Sequence, residues 1–237
     1  MSLKTLKDNG YEYLINDEAP SAKAPFGRYF DLSDPLLADA VAKGGRGEAL
    51  IYNAGDMDVV MRHYRRGGLL GRIVKDHFLL CEPHAHRAFD EMRLLYLMEK
   101  KGLPVPRPIL ARERITRCCI VQDIVIGALN ARDLSYVMRE RSLTRIEMLR
   151  LGGMIKAFFE QGVDHTDLNI RNILLDDQGK FYLIDFDKCF LNHPTAKRRA
   201  EIIERLQRSF RKEYARFPEV FHYNDEDFAL IKGSALS

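Results

Sequence analysis

Apolar residues along this chain fall into short blocks of two periods. Through the first half the blocks are brief, rich in branched and aromatic residues, and separated by polar or glycine-containing turns. They predict strands near Tyr11–Ile15 and at Ala49–Asn53, Asp58–His63, Ile109–Glu113 and Arg117–Ile124. The second and third are expected to pair antiparallel. Gln122–Gly127 continues the last strand and ends in a linker. One helical block interrupts this series. In Ala85–Lys101, Phe89, Met92, Leu95 and Tyr96 recur at helical spacing, and Gly102 and Pro104 stop the helix. Asp31–Val41 reads as a second helix, with Ser33 or Asp34 capping ahead of Pro35.

After the extended Pro104–Pro108 segment the period turns mainly helical. Helices are predicted at Asp133–Glu140 and Thr144–Gln161, the latter opened by a Thr144/Glu147 capping box. Its apolar stripe reads Ile146, Leu149, Gly153, Ile155 and Phe158. Ile173–Leu175 and Phe181–Ile184 flank Asp176-Asp177-Gln178-Gly179, which is turn chemistry, so this stretch predicts a β-hairpin. A basic helix over Lys197–Phe217 and a short tail follow. The class is α+β, with strands and one helix first and helices after. The expected division is a lobe over 1–124 and a second over 125–237.

The hairpin carries the chemistry. Ahead of it stand His165, Asp167 and Asn172 in the order H-x-D-x-x-x-x-N, and Asp185-Phe186 follows its second strand. This is the order of a kinase catalytic loop and metal-binding turn. Phosphoryl transfer needs an acceptor for the attacking hydroxyl's proton, and Asp167 is the candidate. Mg²⁺ takes hard oxygen ligands, which Asn172 and Asp185 offer. The hairpin is what lets two ligands 13 positions apart meet, because its outer ends return to one place. Each piece alone is common, and Asp167 taken singly is also a good helix cap. The ordered set is what points to a nucleotide-dependent phosphotransferase.

Composition narrows the setting. The 237 residues are 46% apolar with a net charge of +3, which supports a sizeable core and argues against a dedicated nucleic-acid binder. Cys81, Cys118, Cys119 and Cys189 show no metal-ligand spacing and read as reduced thiols, the adjacent pair in a strand-like stretch. No apolar run reaches the roughly 18 residues of a membrane span, and no signal peptide opens the chain. A soluble, intracellular protein is expected, with contact to a membrane surface left open.

Upstream, Lys43–Ala49 is a glycine-rich turn before a strand, where backbone N–H groups can approach phosphates, so Gly45 and Gly47 are candidate nucleotide contacts. It departs from G-x-G-x-x-G. The next strand ends in Arg62 where protein kinases carry a lysine, and arginine can clamp a phosphate or a carboxylate. Glu91, beside the apolar stripe of its helix, is the candidate partner of Arg62. Asp123 lies in the strand that runs into the linker, whose backbone is expected to act as a hinge and hold the adenine.

These residues carry a family resemblance. GGRGEA at Gly44–Ala49, VVMRHYRRGGLLGRIVKDHF at Val59–Phe78 and HTDLNIRNILLDDQGKFYLIDFDKC at His165–Cys189 resemble the lipopolysaccharide-core sugar kinases of the protein-kinase-like superfamily. The resemblance spans about residues 20 to 215. RHYRRGG and Asp187, where protein kinases have glycine, set it apart from protein kinases. It implies a bilobal kinase-like fold and use of ATP and Mg²⁺. It also implies phosphorylation of the 4-hydroxyl of a 3-deoxy-D-manno-octulosonic acid (Kdo) sugar on a lipid A precursor, at the cytoplasmic face of the inner membrane. Asp167 then takes the catalytic position, and Asn172 and Asp185 the metal positions. Only 50 residues follow Asp187, too few for a full protein-substrate lobe.

Arg62, Arg65, Arg66 and Arg72 fall within eleven positions, around an apolar glycine-rich loop. An anionic glycolipid partner calls for both features, so Arg65 and Arg66 are candidate substrate contacts. A solvated basic loop is the plainer reading. Nucleic acid is disfavoured because few aromatics are present to stack. Competing functions are a heptose kinase of the same pathway, an aminoglycoside-type phosphotransferase, or a pseudokinase. Intact Asp167, Asn172 and Asp185 speak against the last.

Overall fold

The computed structural model describes residues 3–19, 22–31, 33–37, 41–43, 49–65, 77–82 and 85–237. Gly45, Gly47, Arg66 and most of the arginine-rich loop lie outside the described residues. The chain divides into two compact units, 1–97 with 106–128, and 98–105 with 129–237. Its class is α+β, with an antiparallel sheet and five α-helices among the described residues.

The first unit is built on an eight-stranded sheet. Its strands are β1 (Lys4–Asp8), β2 (Tyr11–Ile15), β3 (Val41–Lys43), β4 (Ala49–Asn53), β5 (Asp58–His63), β6 (Phe78–Leu79), β7 (Pro108–Thr116) and β8 (Cys119–Gly127). The order is β1-β2-β7-β8-β5-β4-β3, with β6 against the start of β8, and every pair is antiparallel. Helix α1 (Arg87–Lys100) follows β6 and buries Ala88, Phe89, Met92, Leu94, Leu95 and Met98. One face of the sheet closes over Tyr13, Ile15, Tyr29, Phe30, Tyr52, Val59, Met61 and Leu110.

Two expectations here are corrected, and one strand, β1, was not foreseen. The helix read over Asp31–Val41 is a 3-10 turn at Pro35–Leu37, and the chain is extended again by Val41. The Asp31 carboxylate accepts from the Ser33 N–H and hydroxyl at 2.9 and 2.7 Å, so Asp31 turns the chain where Ser33 was to cap a helix. Pairing of β3 with β4 then outweighs helical propensity. β1, which reads as polar, is a strand because it pairs along its whole length with β2. Cys118 lies not in a strand but beside Arg117, a left-handed turn residue (φ 52°) between β7 and β8.

The second unit carries α2 (Leu134–Glu140), α3 (Arg145–Glu160), α4 (Ala196–Arg216) and α5 (Asp225–Leu236). Short strands link them: β9 (Ala131–Asp133), β10 (Val163–Asp164), β11 (Ile173–Asp176), β12 (Phe181–Leu183) and β13 (Phe190–Leu191). The capping box at Thr144/Glu147 is present. The apolar stripe of α3 is the one expected at Ile155 and Phe158 and differs elsewhere. Met148, Leu151, Gly152, Ile155, Phe158 and Phe159 are buried, whereas Ile146 and Leu149 are exposed. The cause is α5, read from sequence as a tail. It approaches so closely at Gly152 that a Cβ there would lie 2.5 Å from the Ile231 carbonyl oxygen.

Candidate active site

In the second unit, the residues from Asp164 to Asn172 form one loop fixed at both ends. β10 and the hairpin β11–β12 anchor it. The hairpin turn is set by Asp176, whose carboxylate accepts from the Gln178 and Lys180 N–H groups at 2.9 and 2.8 Å, and by Gly179 at φ 77°. Ile173 faces Leu183 in register, and the Ile184 N–H donates to the Asn172 carbonyl at 3.0 Å. The outer ends of the hairpin therefore meet, and Asp185 follows directly from that closure.

Side chains then orient the groups. The Asn172 amide donates to the Asp167 carbonyl at 3.0 Å. Because that carbonyl can only accept, the nitrogen must face it, and Oδ1 is turned elsewhere with no hydrogen bond among the described residues. Asp185 is left-handed (φ 65°), a conformation that costs a non-glycine residue about 1–2 kcal/mol. It directs the chain so that the next side chain, Phe186, is buried against the Phe158 ring (6.0 Å) and the His165 ring (4.9 Å). His165 is itself buried. Its Nε2–H donates to the Ile184 carbonyl at 3.1 Å, and burial holds its pKa below the ordinary value, so it is a neutral brace. An amide oxygen and a carboxylate beside one hydrogen-bonded closure fit Mg²⁺, which binds few protein ligands and completes its shell with water and phosphate oxygens.

Sequence reasoning missed the part played by α4. One face of this helix runs along the loop and holds it at four points. Arg198 grips Asp164 through a bidentate contact at 2.9–3.1 Å. Arg205 makes a short ion pair with Asp167. The Ser209 hydroxyl accepts from the Ile170 N–H at 2.9 Å. Glu213, buried, accepts from Arg171 at 2.8 Å and from the Ser135 hydroxyl at 2.7 Å. Residues 198, 205, 209 and 213 share one helical face, so the signal was in the spacing. It was hidden by reading the helix as simply basic.

In the first unit Arg62 and Glu91 meet, Nη2 to Oε1 at 2.5 Å. Glu91 is the expected partner of Arg62 and is only 2% exposed. Its other oxygen takes a short hydrogen bond from the Tyr64 hydroxyl, whose pKa burial and the adjacent Glu91 charge push well above the ordinary range. Tyr64, two residues beyond Arg62 along the same stretch of chain, also passed unnoticed. Arg65 is exposed just past β5. Asp123 sits mid-strand in β8, as expected, facing His63 on β5 and Arg112 on β7 in register. His63 Nδ1 lies 2.5 Å from one of its oxygens and Arg112 Nε 2.7 Å from the other. Both oxygens thus serve the sheet. No helix among the described residues is long and apolar enough to cross a membrane.

Residues 37–226 match the model of the lipopolysaccharide kinase (Kdo/WaaP) family. A protein of Vibrio parahaemolyticus named 3-deoxy-D-manno-octulosonic acid kinase is 36% identical over 222 residues, 93% of this chain and 90% of its own length. One of that name from Vibrio vulnificus is 38% identical over 208 residues, covering 87% and 86%. One from Xylella fastidiosa is 37% identical over 179 residues, covering 74% and 70%. The resemblance carried by residues 165–189 and the segments upstream extends over most of the sequence, and the chain belongs to the lipopolysaccharide kinase (Kdo/WaaP) family.

Proposed function

We propose that this chain, a sugar kinase by its family, transfers the γ-phosphoryl group of ATP to the 4-hydroxyl of Kdo on a lipid A precursor. It does so in lipopolysaccharide core assembly, peripherally at the cytoplasmic face of the inner membrane, with a protein-kinase-like arrangement. One observation supports the reading: the Asn172–Asp167 and Ile184–Asn172 hydrogen bonds tie the loop that bears Asp167 to the hairpin end that precedes Asp185.

Asp167 accepts the proton of the acceptor hydroxyl as its oxygen attacks the γ-phosphorus, and the bond to the β–γ bridging oxygen breaks to release ADP. Asn172 and Asp185 would hold Mg²⁺, which would neutralise charge on the phosphates. His165 and Phe186 keep the loop and the Asp185 turn in place. Arg62 takes the role of the kinase lysine, a phosphate contact aimed by Glu91. Gly45 and Gly47 are assigned to the phosphate cover, and Arg65 and Arg66 to the anionic acceptor, from sequence alone.

The test is ATP turnover by the purified protein with Kdo-bearing lipid IV-A, with a heptose-bearing acceptor, and with an aminoglycoside, followed by NMR location of the new phosphate. Phosphate on the Kdo 4-hydroxyl is the expected product. Preference for heptose or aminoglycoside replaces the acceptor assignment, and absence of any transfer supports a pseudokinase.

A further inference from the structure

Arg205 stands where an anionic acceptor must come. It is the residue of α4 that pairs with the Asp167 carboxylate, and both side chains are 49% exposed. The contact uses a single guanidinium nitrogen, Nη2. Among the described residues Nε and Nη1 of Arg205 donate no hydrogen bond. One turn further, on the same face, Arg208 is exposed and makes no ion pair among the described residues. The neighbouring braces are different in kind. Arg198 is bidentate on a buried Asp164, and Glu213 is buried with both oxygens occupied. Arg205 is thus the exposed, partly used contact in an otherwise committed row.

The proposed acceptor is a sugar acid. Bringing its hydroxyl within hydrogen-bond reach of Asp167 also brings its carboxylate towards a like charge, which is unfavourable unless a cation stands between them. A planar guanidinium with a free edge binds a carboxylate through two parallel N–H donors.

We propose that Arg205 determines acceptor specificity, its unused guanidinium edge binding the carboxylate of the incoming sugar acid while its other edge stays by Asp167. The acceptor is thereby drawn to the base by its own charge, and a neutral sugar lacks that anchor. This rests on the acceptor assignment above.

The test compares a Kdo-bearing lipid acceptor with its carboxylate methyl ester, using the wild type, Arg205→Ala and Arg205→Lys. A charge-assisted contact of this kind predicts that esterification raises the wild-type KM for acceptor roughly 10- to 100-fold. Arg205→Ala should raise the KM for the free acid by a similar factor and abolish the acid–ester difference, leaving the KM for ATP unchanged. Arg205→Lys should restore part of the preference. An Arg205→Ala enzyme that keeps the full acid–ester preference while losing kcat on both would make Arg205 a positioning residue only, overturning the proposal. Should Arg205→Ala fail to fold, equal wild-type KM values for acid and ester overturn it alone. A wild type that phosphorylates no Kdo acceptor removes the functional reading, and this inference with it.

Discussion

Glu91→Gln removes one charge from the first unit and almost no volume, so its cost can be worked from the contacts. The Glu91 side chain is 1% exposed and that of Arg62 24% exposed. Two hydrogen bonds converge on the carboxylate, from Arg62 at 2.5 Å and from the buried Tyr64 hydroxyl. With a charged partner each is worth about 1.5–3 kcal/mol, and with a neutral one about 0.5–1.5. The amide keeps the shape but makes the Tyr64 bond neutral and leaves the Arg62 guanidinium without a counter-charge, and its NH₂ must face one of the two donors. The loss is on the order of 2–3 kcal/mol, below the roughly 3–5 kcal/mol of breaking a fully buried pair because Arg62 retains some water. The assay is urea unfolding at pH 7 with a double-mutant cycle against Arg62→Met. In the Arg62→Met background the second change should cost under about 1 kcal/mol, giving a coupling energy above about 1 kcal/mol. If Arg62 also holds phosphate, Glu91→Gln raises the KM for ATP. A single-variant cost below about 0.5 kcal/mol with additive energies would refute the pairing as a structural and functional unit.

Further outcomes follow from the second unit. Gly152→Ala places a Cβ 2.5 Å from the Ile231 carbonyl and from Ser234 Cβ, and should cost about 1–3 kcal/mol. Gly153→Ala, whose Cβ meets only Ser234 Oγ at 3.9 Å, should be neutral or stabilising by up to about 1 kcal/mol; thermal melts separate the two. The Glu147 carboxyl is pulled down to about 2, first by its bonds to Arg141. Its stabilisation is therefore present above its ordinary pKa and lost as pH falls towards 2. Glu147→Ala should cost about 1–2 kcal/mol at pH 7 and almost nothing by pH 2, by urea midpoints. Burial holds the His165 pKa below its ordinary value near 6.5, so the unfolded chain binds the proton more readily. Wild-type stability should fall as pH drops from 7.5 through that value, and the slope should flatten in His165→Asn.

What the sequence made legible was local. The β11–β12 hairpin, the Thr144 capping box and the spans of α1 and α4 follow from turn residues, caps and period within a few positions of one another. The meeting of Asn172 with the residue before Asp185 followed too, because a tight hairpin fixes its own ends. What stayed hidden depends on partners distant in the chain. Asp31–Val41 carries helix signals, yet pairing of Val41–Lys43 with β4 decides its form. Asp123 reads as a strand residue, but that His63 and Arg112 occupy both its oxygens shows only once they are known to lie opposite it. The expected stripe of α3 is right at Ile155 and Phe158 but takes in the exposed Ile146 and Leu149, because nothing in it announces α5. The same holds for Arg205, a surface cation by every local rule, which only the placement of α4 along the loop brings to Asp167.

The central claim is that Asp167 is the carboxylate through which phosphoryl transfer to the sugar passes. Single-turnover transfer from ATP to a Kdo-bearing lipid acceptor by Asp167→Asn tests it most directly. The Arg205 ion pair is half exposed and worth about 0–1 kcal/mol, so the variant should fold. The rate should fall about 10²- to 10⁴-fold, the scale of a positioned general base, with ATP affinity little changed. Transfer within about threefold of the wild-type rate would contradict the account.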